Sequence, residues 1–188
     1  MNTAKDLLEA YLQAKDLNQP SVILDCFTPD AVLTYSIATD MISFPAKVLG
    51  ADAIAQTLVR DFRKNFDNCK TYYVCDTLAG HTRRIDFMPW LVIMTQISNT
   101  ALRVGKGYYR WQFESADTAL RVCAMHIHIE CMEIIEDLDR NKLQILQSAL
   151  PYPWLAPATL RETLESLRKQ FPFFEFLDKF DVPVDRPD

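Results

Sequence analysis

The sequence lacks the short motifs that mark several common kinds of catalytic site. Glycine occurs only four times in 188 residues, and no glycine-rich loop of the kind that binds phosphates is present. No serine or cysteine lies in a recognisable nucleophile motif. These absences argue against a phosphate-loop nucleotide site and against the motif-bearing hydrolases.

Basic clusters and long apolar runs are missing as well. Lysine and arginine number 20 against 25 acidic residues, so the net charge is −5, and no run of basic residues occurs. A nucleic-acid partner would require the opposite sign of charge, so we expect none. No apolar run approaches the roughly 20 residues that cross a bilayer. The N-terminal residues also lack the apolar core of a signal peptide. We therefore expect no membrane partner and a cytoplasmic location.

The cysteines form no recognisable set. Five are present, none in a CxxC pair, at positions Cys26, Cys69, Cys75, Cys123 and Cys131. An odd number without paired spacing predicts reduced thiols rather than a disulfide framework or a zinc ribbon. The apolar content of 49% is sufficient for one core of ordinary size, with some chain left for an appendage.

Three helices are predicted in the first third of the chain. Thr3 and Asp6 form a capping-box pattern, followed by an apolar stripe at helical spacing: Ala4, Leu7, Leu8, Tyr11 and Leu12. Pro20 suits the first turn of a short second helix that includes Val22–Phe27. A third helix opens at Gly50, with its apolar side chains at i+4 steps: Ile54, Leu58, Phe62 and Phe66.

Strands dominate the middle of the chain. They are predicted over Ala31–Ile37, Thr71–Leu78, Met88–Ser98, Ala101–Glu114 and Leu120–Ile135. In Ala101–Glu114 the apolar positions change phase across Gly105-Lys106-Gly107. Because a period of two cannot change face without an extra residue, we expect a β-bulge at that point that bends the sheet.

The chain divides into residues 1–136 and an appendage of residues 137–188. The appendage carries two helical stripes, one of Leu143, Leu146 and Leu150, the other of Leu160, Leu164, Leu167 and Phe171. The aromatic run that starts at Phe171 is predicted to pack on the body or on a second subunit. Only Asp181–Asp188 is expected to be disordered.

This order of helices and strands resembles the NTF2-like superfamily, and its SnoaL-like branch especially. The residues that carry the resemblance are Tyr11, Phe27-Thr28-Pro29-Asp30-Ala31, Gly50-Ala51-Asp52-Ala53-Ile54 and Leu120-Arg121-Val122. It covers about two-thirds of the chain and implies an α+β cone. In that fold, three N-terminal helices pack on a strongly curved mixed or antiparallel sheet that encloses a pocket. The helical C-terminal extension lies outside it.

The resemblance also implies candidate catalytic residues. Tyr11 matches the oxyanion-hole tyrosine of the ketosteroid isomerases. Tyr35 stands where those enzymes have their general-base aspartate, although the resemblance to scytalone dehydratase implies a tyrosine there. Tyr109 stands about where the isomerases keep a protonated aspartic acid. A tyrosine, with a pKa near ~10, is no resting base at neutral pH, so isomerisation by the family route is not expected. Asp16 matches an acid near the end of the first helix in bile-acid dehydratases. We take Tyr11, Tyr35 and Asp16 as the candidates.

The predicted pocket wall is apolar and phenolic. Its expected members, besides the three candidates, are Tyr109, Tyr72, Tyr73, Phe62, Phe66, Trp90, Met125, Ile127 and Ile129. Tyr72 or Tyr73 occupies the region where the dehydratases need a histidine, and which of the two faces the pocket stays open. Tyr11 is equally expected to be a core tyrosine whose hydroxyl has a partner.

Two functions remain open. The first is non-catalytic binding of a small cyclic or aromatic ligand that carries oxygen. The second is a dehydratase, cyclase or isomerase that acts on a polyketide- or steroid-like substrate. We expect no cofactor.

His126, His128 and Glu130 share one face of the last strand. Histidines at i and i+2 can bind a metal together, but Met125, Ile127 and Ile129 are better candidates for the core-facing side. We therefore predict no metal site, an outward-facing triplet, and a homodimer through the outer face of the sheet. His81 is predicted to lie exposed in a loop.

Overall fold

The computed structural model describes residues 3–78, 83–116 and 119–187. Its helices are α1 (Ala4–Asp16), α2 (Pro20–Cys26), α3 (Ala51–Ala55), α4 (Phe62–Asn65), α5 (Asn141–Ala149) and α6 (Pro157–Gln170). A π-helical turn, Gln56–Asp61, joins α3 to α4, and a 3-10 helix follows α6 over Pro172–Lys179. His81 lies outside the described residues.

The capping box at the start of α1 is confirmed. Thr3 Oγ1 accepts a hydrogen bond from the Asp6 amide at 3.2 Å, and the Asp6 carboxylate accepts one from the Thr3 amide at 2.8 Å. The apolar stripe that follows is fully buried. The helix is therefore fixed at its N-terminus by the cap and along its length by packing against the sheet.

Seven strands form one curved, unclosed sheet. They are β1 (Phe27–Ile37), β2 (Lys47–Leu49), β3 (Phe66–Val74), β4 (Arg84–Gln96), β5 (Leu102–Ala116), β6 (Ala119–Ile135) and β7 (Trp154–Leu155). Their order across the sheet is β2-β1-β6-β5-β4-β3-β7. The pairs β1–β6 and β3–β7 are parallel and the others antiparallel, which confirms a mixed α+β fold.

The predicted third helix is wrong at its last residue. Phe66 has extended dihedral angles (φ −131°, ψ 144°) and opens β3, so the helical segment ends at Asn65. A π-helical turn also interrupts the segment, which places Leu58 and Phe62 differently from an uninterrupted i+4 stripe.

The register of β5 against β6 shifts between Lys106 and Gly107, where a bulge is predicted. The extra residue, however, is Glu130 on β6, since Lys106 pairs with Cys131 and Gly107 with Ile129. A second shift makes Cys123 an extra residue in β6.

The change of apolar phase along β5 has another cause. Leu102 and Val104 point to the outer face, where the C-terminal helices cover them, whereas Tyr109 and Trp111 point to the inner face. The strand itself keeps its faces throughout. Two different coverings, one on each side of the sheet, therefore produce the pattern that suggested a bulge in β5.

Two apolar cores result. The inner core lies between the sheet and the N-terminal helices. The outer core joins the back of β3, β4 and β5 to the C-terminal helices through Leu146, Leu160, Leu164 and Phe174. Near the C-terminus, Asp181 accepts a hydrogen bond from Arg168 at 2.7 Å, and the Val182 carbonyl accepts one from Lys106 at 2.9 Å.

All five cysteines are free thiols. Within the described ranges, every helix is too short or too polar to cross a membrane.

Candidate functional site

Strand register brings three predicted residues into one row on the inner face. Tyr35 on β1 pairs with Ile127 on β6, which pairs in turn with Tyr109 on β5. Since paired residues project to the same face of a sheet, the two phenols flank the isoleucine side chain.

The adjacent row depends on a glycine. Gly107 pairs with Trp90 on β4 and with Ile129 on β6. A Cβ at Gly107 would lie 2.6 Å from the Trp90 ring and would clash with the carbonyl oxygen of His128. The missing side chain therefore gives the Trp90 indole room to lie across the sheet.

The helices and one loop close the space above these rows. Tyr11 and Lys15 come from consecutive turns of α1, and Phe62 from the start of α4. The loop between β1 and β2 adds Phe44, whose ring stacks on Tyr35 at 4.8 Å with the two planes 2° apart.

A cavity of about 50 Å³ remains between these groups. Its aromatic wall consists of Tyr11, Tyr35, Phe44, Phe62, Trp90 and Tyr109. Its aliphatic wall consists of Ile42, Leu58, Val92, Met94, Ile127, Ile129 and Met132. The two polar side chains besides the phenols and the indole are Lys15 and Thr71.

Three buried donors on this wall make no hydrogen bond of ordinary length to any residue that the structure describes. They are Tyr11 Oη, Tyr35 Oη and the indole Nε1 of Trp90. Tyr73, by contrast, is equally buried and donates to the Leu8 carbonyl oxygen at 3.0 Å. A buried donor without an acceptor costs about 1–3 kcal/mol. Thr28 Oγ1, Tyr72 Oη and Trp111 Nε1 are also buried without a partner in the described part of the chain, but away from the cavity. The three donors on this wall are distinguished by facing one space, which favours a site for an acceptor.

The phenols remain neutral. Burial raises the pKa of Tyr11, Tyr35 and Tyr109 well above the ordinary tyrosine value. The Tyr11 ring meets Tyr109 edge to face at 5.9 Å, and after burial the charge of Tyr109 and a long hydrogen-bonding interaction with its hydroxyl raise the pKa of Tyr11 further. This interaction is longer than an ordinary hydrogen bond, so the Tyr11 hydroxyl can still take a ligand acceptor. These side chains can donate a proton in a hydrogen bond, but they do not supply a base.

Asp16 lies next to the cavity but does not line it. Its Oδ1 accepts from Lys15 Nζ at 2.6 Å and from Thr71 Oγ1 at 3.2 Å. Its Oδ2 accepts from the Thr71 amide at 2.7 Å and from Tyr152 Oη at 3.1 Å. Four donors occupy the roughly four acceptor positions of a carboxylate, so no position is left for a substrate proton.

Lys15 connects this carboxylate to the cavity. Its ammonium group also donates to Cys69 Sγ at 3.3 Å and lies 5.0 Å from the centre of the Phe62 ring. Burial is the largest influence and lowers the pKa of Lys15, but Asp16, Cys69 and Tyr11 together raise it by more, and the net shift is upward. The lysine is therefore charged, and its third N–H makes no hydrogen bond to a described residue.

The sequence patterns above single out Asp16 and overlook Lys15. Lys15 follows Tyr11 by four residues, so it continues the apolar stripe of α1. A lysine on a buried stripe was the available signal. No sequence pattern pointed to Thr71, Cys69 or Tyr152, because only the folded chain brings them to Asp16.

Four predicted pocket residues lie elsewhere. Tyr72 lies on the outer face of β3, in the outer core. Tyr73 points inward, but its hydroxyl is bound to Leu8 and its ring packs against Trp154 at 5.0 Å. Phe66 lies beside the cavity, under Arg103, and Met125 lies further along β6. None of the four lines the cavity.

An open groove of about 500 Å³ adjoins the cavity. Ile42, Phe44 and Phe62 line both spaces, so these three side chains form the partition between them. The groove continues past the β1–β2 loop to Arg103 on β5.

The histidines of β6 take part in a hydrogen-bonded chain on the outer face. Thr34 Oγ1 bonds His126, Ser36 Oγ bonds both His126 and His128, and His128 Nε2 lies 2.9 Å from Glu130. Burial lowers the pKa of His126. No group of three or more potential metal ligands is found within the described parts of the chain.

Comparisons with known proteins identify the fold through structure alone. No protein-family model matches the chain, and no curated protein sequence matches it either. Among solved structures, an NTF2-like superfamily protein from Salmonella enterica superposes with a TM-score of 0.55 at 13% identity, covering 67% of this chain and 87% of that one.

Two further structures carry names of enzymes. Hexachlorocyclohexane dehydrochlorinase LinA-type3 from Novosphingobium barchaimii superposes with a TM-score of 0.56 at 10% identity, over 70% of this chain and 86% of that one. A ketosteroid isomerase-like protein from Erwinia carotovora gives a TM-score of 0.50 at 14% identity, over 68% and 93% of the two chains. The predicted fold is therefore confirmed: this chain has the NTF2-like fold.

Proposed function

We propose that this chain binds a small apolar ligand, cyclic or aromatic, that carries one or two acceptor oxygens, and that it does so without catalysing a reaction. The observation that carries the proposal is the set of unpartnered donors, Tyr11 Oη, Tyr35 Oη and Trp90 Nε1, on the wall of one apolar cavity. A carbonyl, phenol or ether oxygen would satisfy them, while the aliphatic wall would bury the ligand's rings.

The absence of a base favours binding over proton abstraction. Among the described residues that line the cavity, none is an aspartate, a glutamate or a histidine. Asp16, the nearest candidate, has its acceptor positions filled. A general base must be within hydrogen-bond reach of its proton with a free acceptor, and this wall offers none.

Binding requires the partition to open. A cavity of about 50 Å³ is far smaller than the roughly 300–1,000 Å³ of typical ligand sites. The groove beyond Ile42, Phe44 and Phe62 adds about 500 Å³. Displacement of the Phe44 ring from Tyr35 would join the two spaces, make the unpartnered Tyr35 hydroxyl accessible and admit a bicyclic ligand.

The test uses 1-tetralone, an aromatic bicyclic ketone, as a probe in titration calorimetry. Tyr11→Phe should weaken its binding by about 0.5–1.5 kcal/mol, the net worth of a neutral hydrogen bond. Tyr73→Phe is the matched control, because it removes an equally buried hydroxyl that is bound to Leu8. Equal affinity in the Tyr11→Phe protein, or no binding to the unmodified protein, would refute the proposal.

A lyase or isomerase acting on a polyketide- or steroid-like substrate is the second candidate. It is favoured by the fold shared with a dehydrochlorinase and an isomerase-like protein, and by Lys15 and Tyr11, which together could stabilise an enolate oxygen. Incubation with 1-tetralone in D₂O distinguishes the two functions. Deuterium uptake at the carbon next to the carbonyl, faster than in buffer, would establish catalysis, whereas binding alone predicts none.

Membership of the SnoaL-like branch, a homodimer and a cytoplasmic location also remain proposals. The free thiols support a reducing compartment. The homodimer would use the half-exposed part of the outer face around His126 and His128, beside the C-terminal helices. A mass of 21.7 kDa by light scattering at all concentrations would exclude it.

A further inference from the structure

We propose that the groove next to the cavity binds a carboxylate through Arg103, so that the ligand is an apolar ring acid rather than a neutral ketone. This inference rests on the proposed binding function and names the chemical class of its ligand. The ring would enter past the partition, and the carboxylate would remain in the groove, against the guanidinium group.

Arg103 is a buried cation without an anionic partner. Its residue surface is only 8% exposed, and it makes no ion pair with any described carboxylate. Its Nε donates to Gln96 Oε1 at 2.8 Å, and its Nη1 donates to the Met41 carbonyl oxygen at 2.6 Å, so both acceptors are neutral. Burial lowers the pKa of Arg103, and no carboxylate of the described residues opposes that shift.

The remaining donors of Arg103 are available to a ligand. Nη2 has no hydrogen-bond partner among the described residues, and the guanidinium group lies 5.3 Å from the centre of the Phe66 ring, which orients it. The groove also contains Asp61 and Lys64, but these pair with each other at 2.7 Å. The uncompensated charge of the groove is therefore one positive charge, at Arg103.

The position of Arg103 connects it to the cavity. The carbonyl group it holds, that of Met41, belongs to the same loop as Ile42 and Phe44, which form the partition. A ligand carboxylate at Nη2 would thus bind at the base of the loop that must move to admit the ring. Guanidinium groups bind carboxylates with charge-assisted hydrogen bonds, which are about twice as strong as neutral ones.

The experiment compares two probes with the same ring and similar shape, 2-naphthoate and the neutral 2-naphthamide. Affinities are measured by fluorescence titration in the unmodified protein and in three variants. Arg103→Met removes the charge but keeps an apolar stem over Phe66, and Arg103→Lys keeps the charge. Arg60→Met makes the same change of residue and net charge at an exposed position outside the groove and the cavity. Circular dichroism and thermal melting check that each variant is folded.

The unmodified protein should bind 2-naphthoate about tenfold more tightly than 2-naphthamide, the equivalent of one charged hydrogen bond. Arg103→Met should abolish this preference while the affinity for 2-naphthamide stays the same, Arg103→Lys should keep part of it, and Arg60→Met should keep all of it. If the preference persists in Arg103→Met, or if the unmodified protein binds both probes equally, the inference is wrong although the proposed function stands. If neither these probes nor 1-tetralone bind, the proposed function fails and the inference fails with it.

Discussion

The cavity and the cluster around Asp16 share Lys15 and Thr71, but their hydrogen-bonding groups differ in whether they have partners within the protein. Around Asp16, every acceptor position of the carboxylate is filled by a protein donor, with distances between 2.6 and 3.2 Å. Around the cavity, donors predominate, and Tyr11, Tyr35 and Trp90 each have one without a partner.

The difference shows which chemistry this end of the sheet can support. The carboxylate that could act as a base is used to hold Lys15, β3 and Tyr152 together. The cavity is left with neutral phenols, an indole and one ammonium N–H. The hydroxyls of Tyr11 and Tyr35, the indole N–H and the ammonium N–H have no acceptor of ordinary distance among the described residues. In this chain the carboxylate is structural, which is why we propose binding rather than proton abstraction at the cavity.

The largest effect on stability should come from removing the ammonium group of Lys15, which the two regions share. Lys15→Met leaves Asp16 buried without its cation and should lower the free energy of unfolding by about 3–5 kcal/mol. Urea unfolding followed by circular dichroism measures it. The double variant Lys15→Met, Asp16→Asn should recover part of the loss, because no buried charge remains. A loss below about 1 kcal/mol in the single variant would show that the pair is not buried as described.

A smaller effect concerns alkaline pH and Cys69. Burial, followed by the Asp16 charge, raises the pKa of Cys69 from 9.0 to about 12. Between these values the unfolded thiol loses its proton and the native thiol keeps it, so the unfolded state binds fewer protons and stability falls as pH rises. The loss should approach about 1.4 kcal/mol per pH unit.

Cys69→Ser removes this titration, so the stability difference between the unmodified protein and the variant should shrink from pH 9 to 11. Unfolding in urea across this range measures the difference. A constant difference would mean that Cys69 is accessible to solvent.

A further, smaller effect is expected at Tyr73, whose hydroxyl has a hydrogen-bond partner. Tyr73→Phe removes a buried hydrogen bond to the Leu8 carbonyl oxygen, which keeps only its helical bond within α1, and the loss should cost about 1 kcal/mol of unfolding free energy. Binding of 1-tetralone should not change. A neutral effect on stability would show that water replaces the lost hydroxyl.

Periodicity and turn residues predicted most of the fold. The capping box at Thr3, the buried stripe of α1 and the strands β1, β3, β4, β5 and β6 all follow from local patterns, whereas the short strands β2 and β7 were not predicted. Local patterns did not predict what covers the outer face of the sheet. Leu102 is buried there by the C-terminal helices, and these contacts join residues that are far apart in the chain. Phase changes were therefore read as a bulge in β5, when the extra residue is in β6.

The sequence predicted several of the strand residues of the candidate site that face the cavity, but it did not predict all of the polar groups around it. Tyr35, Ile127 and Tyr109 lie in one row because alternation assigns them to the inner face. The role of Asp16 could not be foreseen, since its donors come from α1, β3 and the C-terminal extension. Tyr72 and Tyr73 are neighbours on one strand, so one of them had to face away from the inner core.

The most direct test of the account is the stability of Tyr11→Phe, measured by urea unfolding beside Tyr73→Phe. Both changes remove one hydroxyl from a fully buried tyrosine, but the Tyr73 hydroxyl makes a hydrogen bond at 3.0 Å, whereas that of Tyr11 makes none of ordinary length to a described residue. If the cavity donors are kept for a ligand, Tyr11→Phe should leave the free energy of unfolding unchanged or raise it by about 1 kcal/mol, while Tyr73→Phe lowers it. A loss of about 1 kcal/mol or more in Tyr11→Phe would show that this hydroxyl is satisfied within the protein, and would contradict the assignment of the cavity as a binding site.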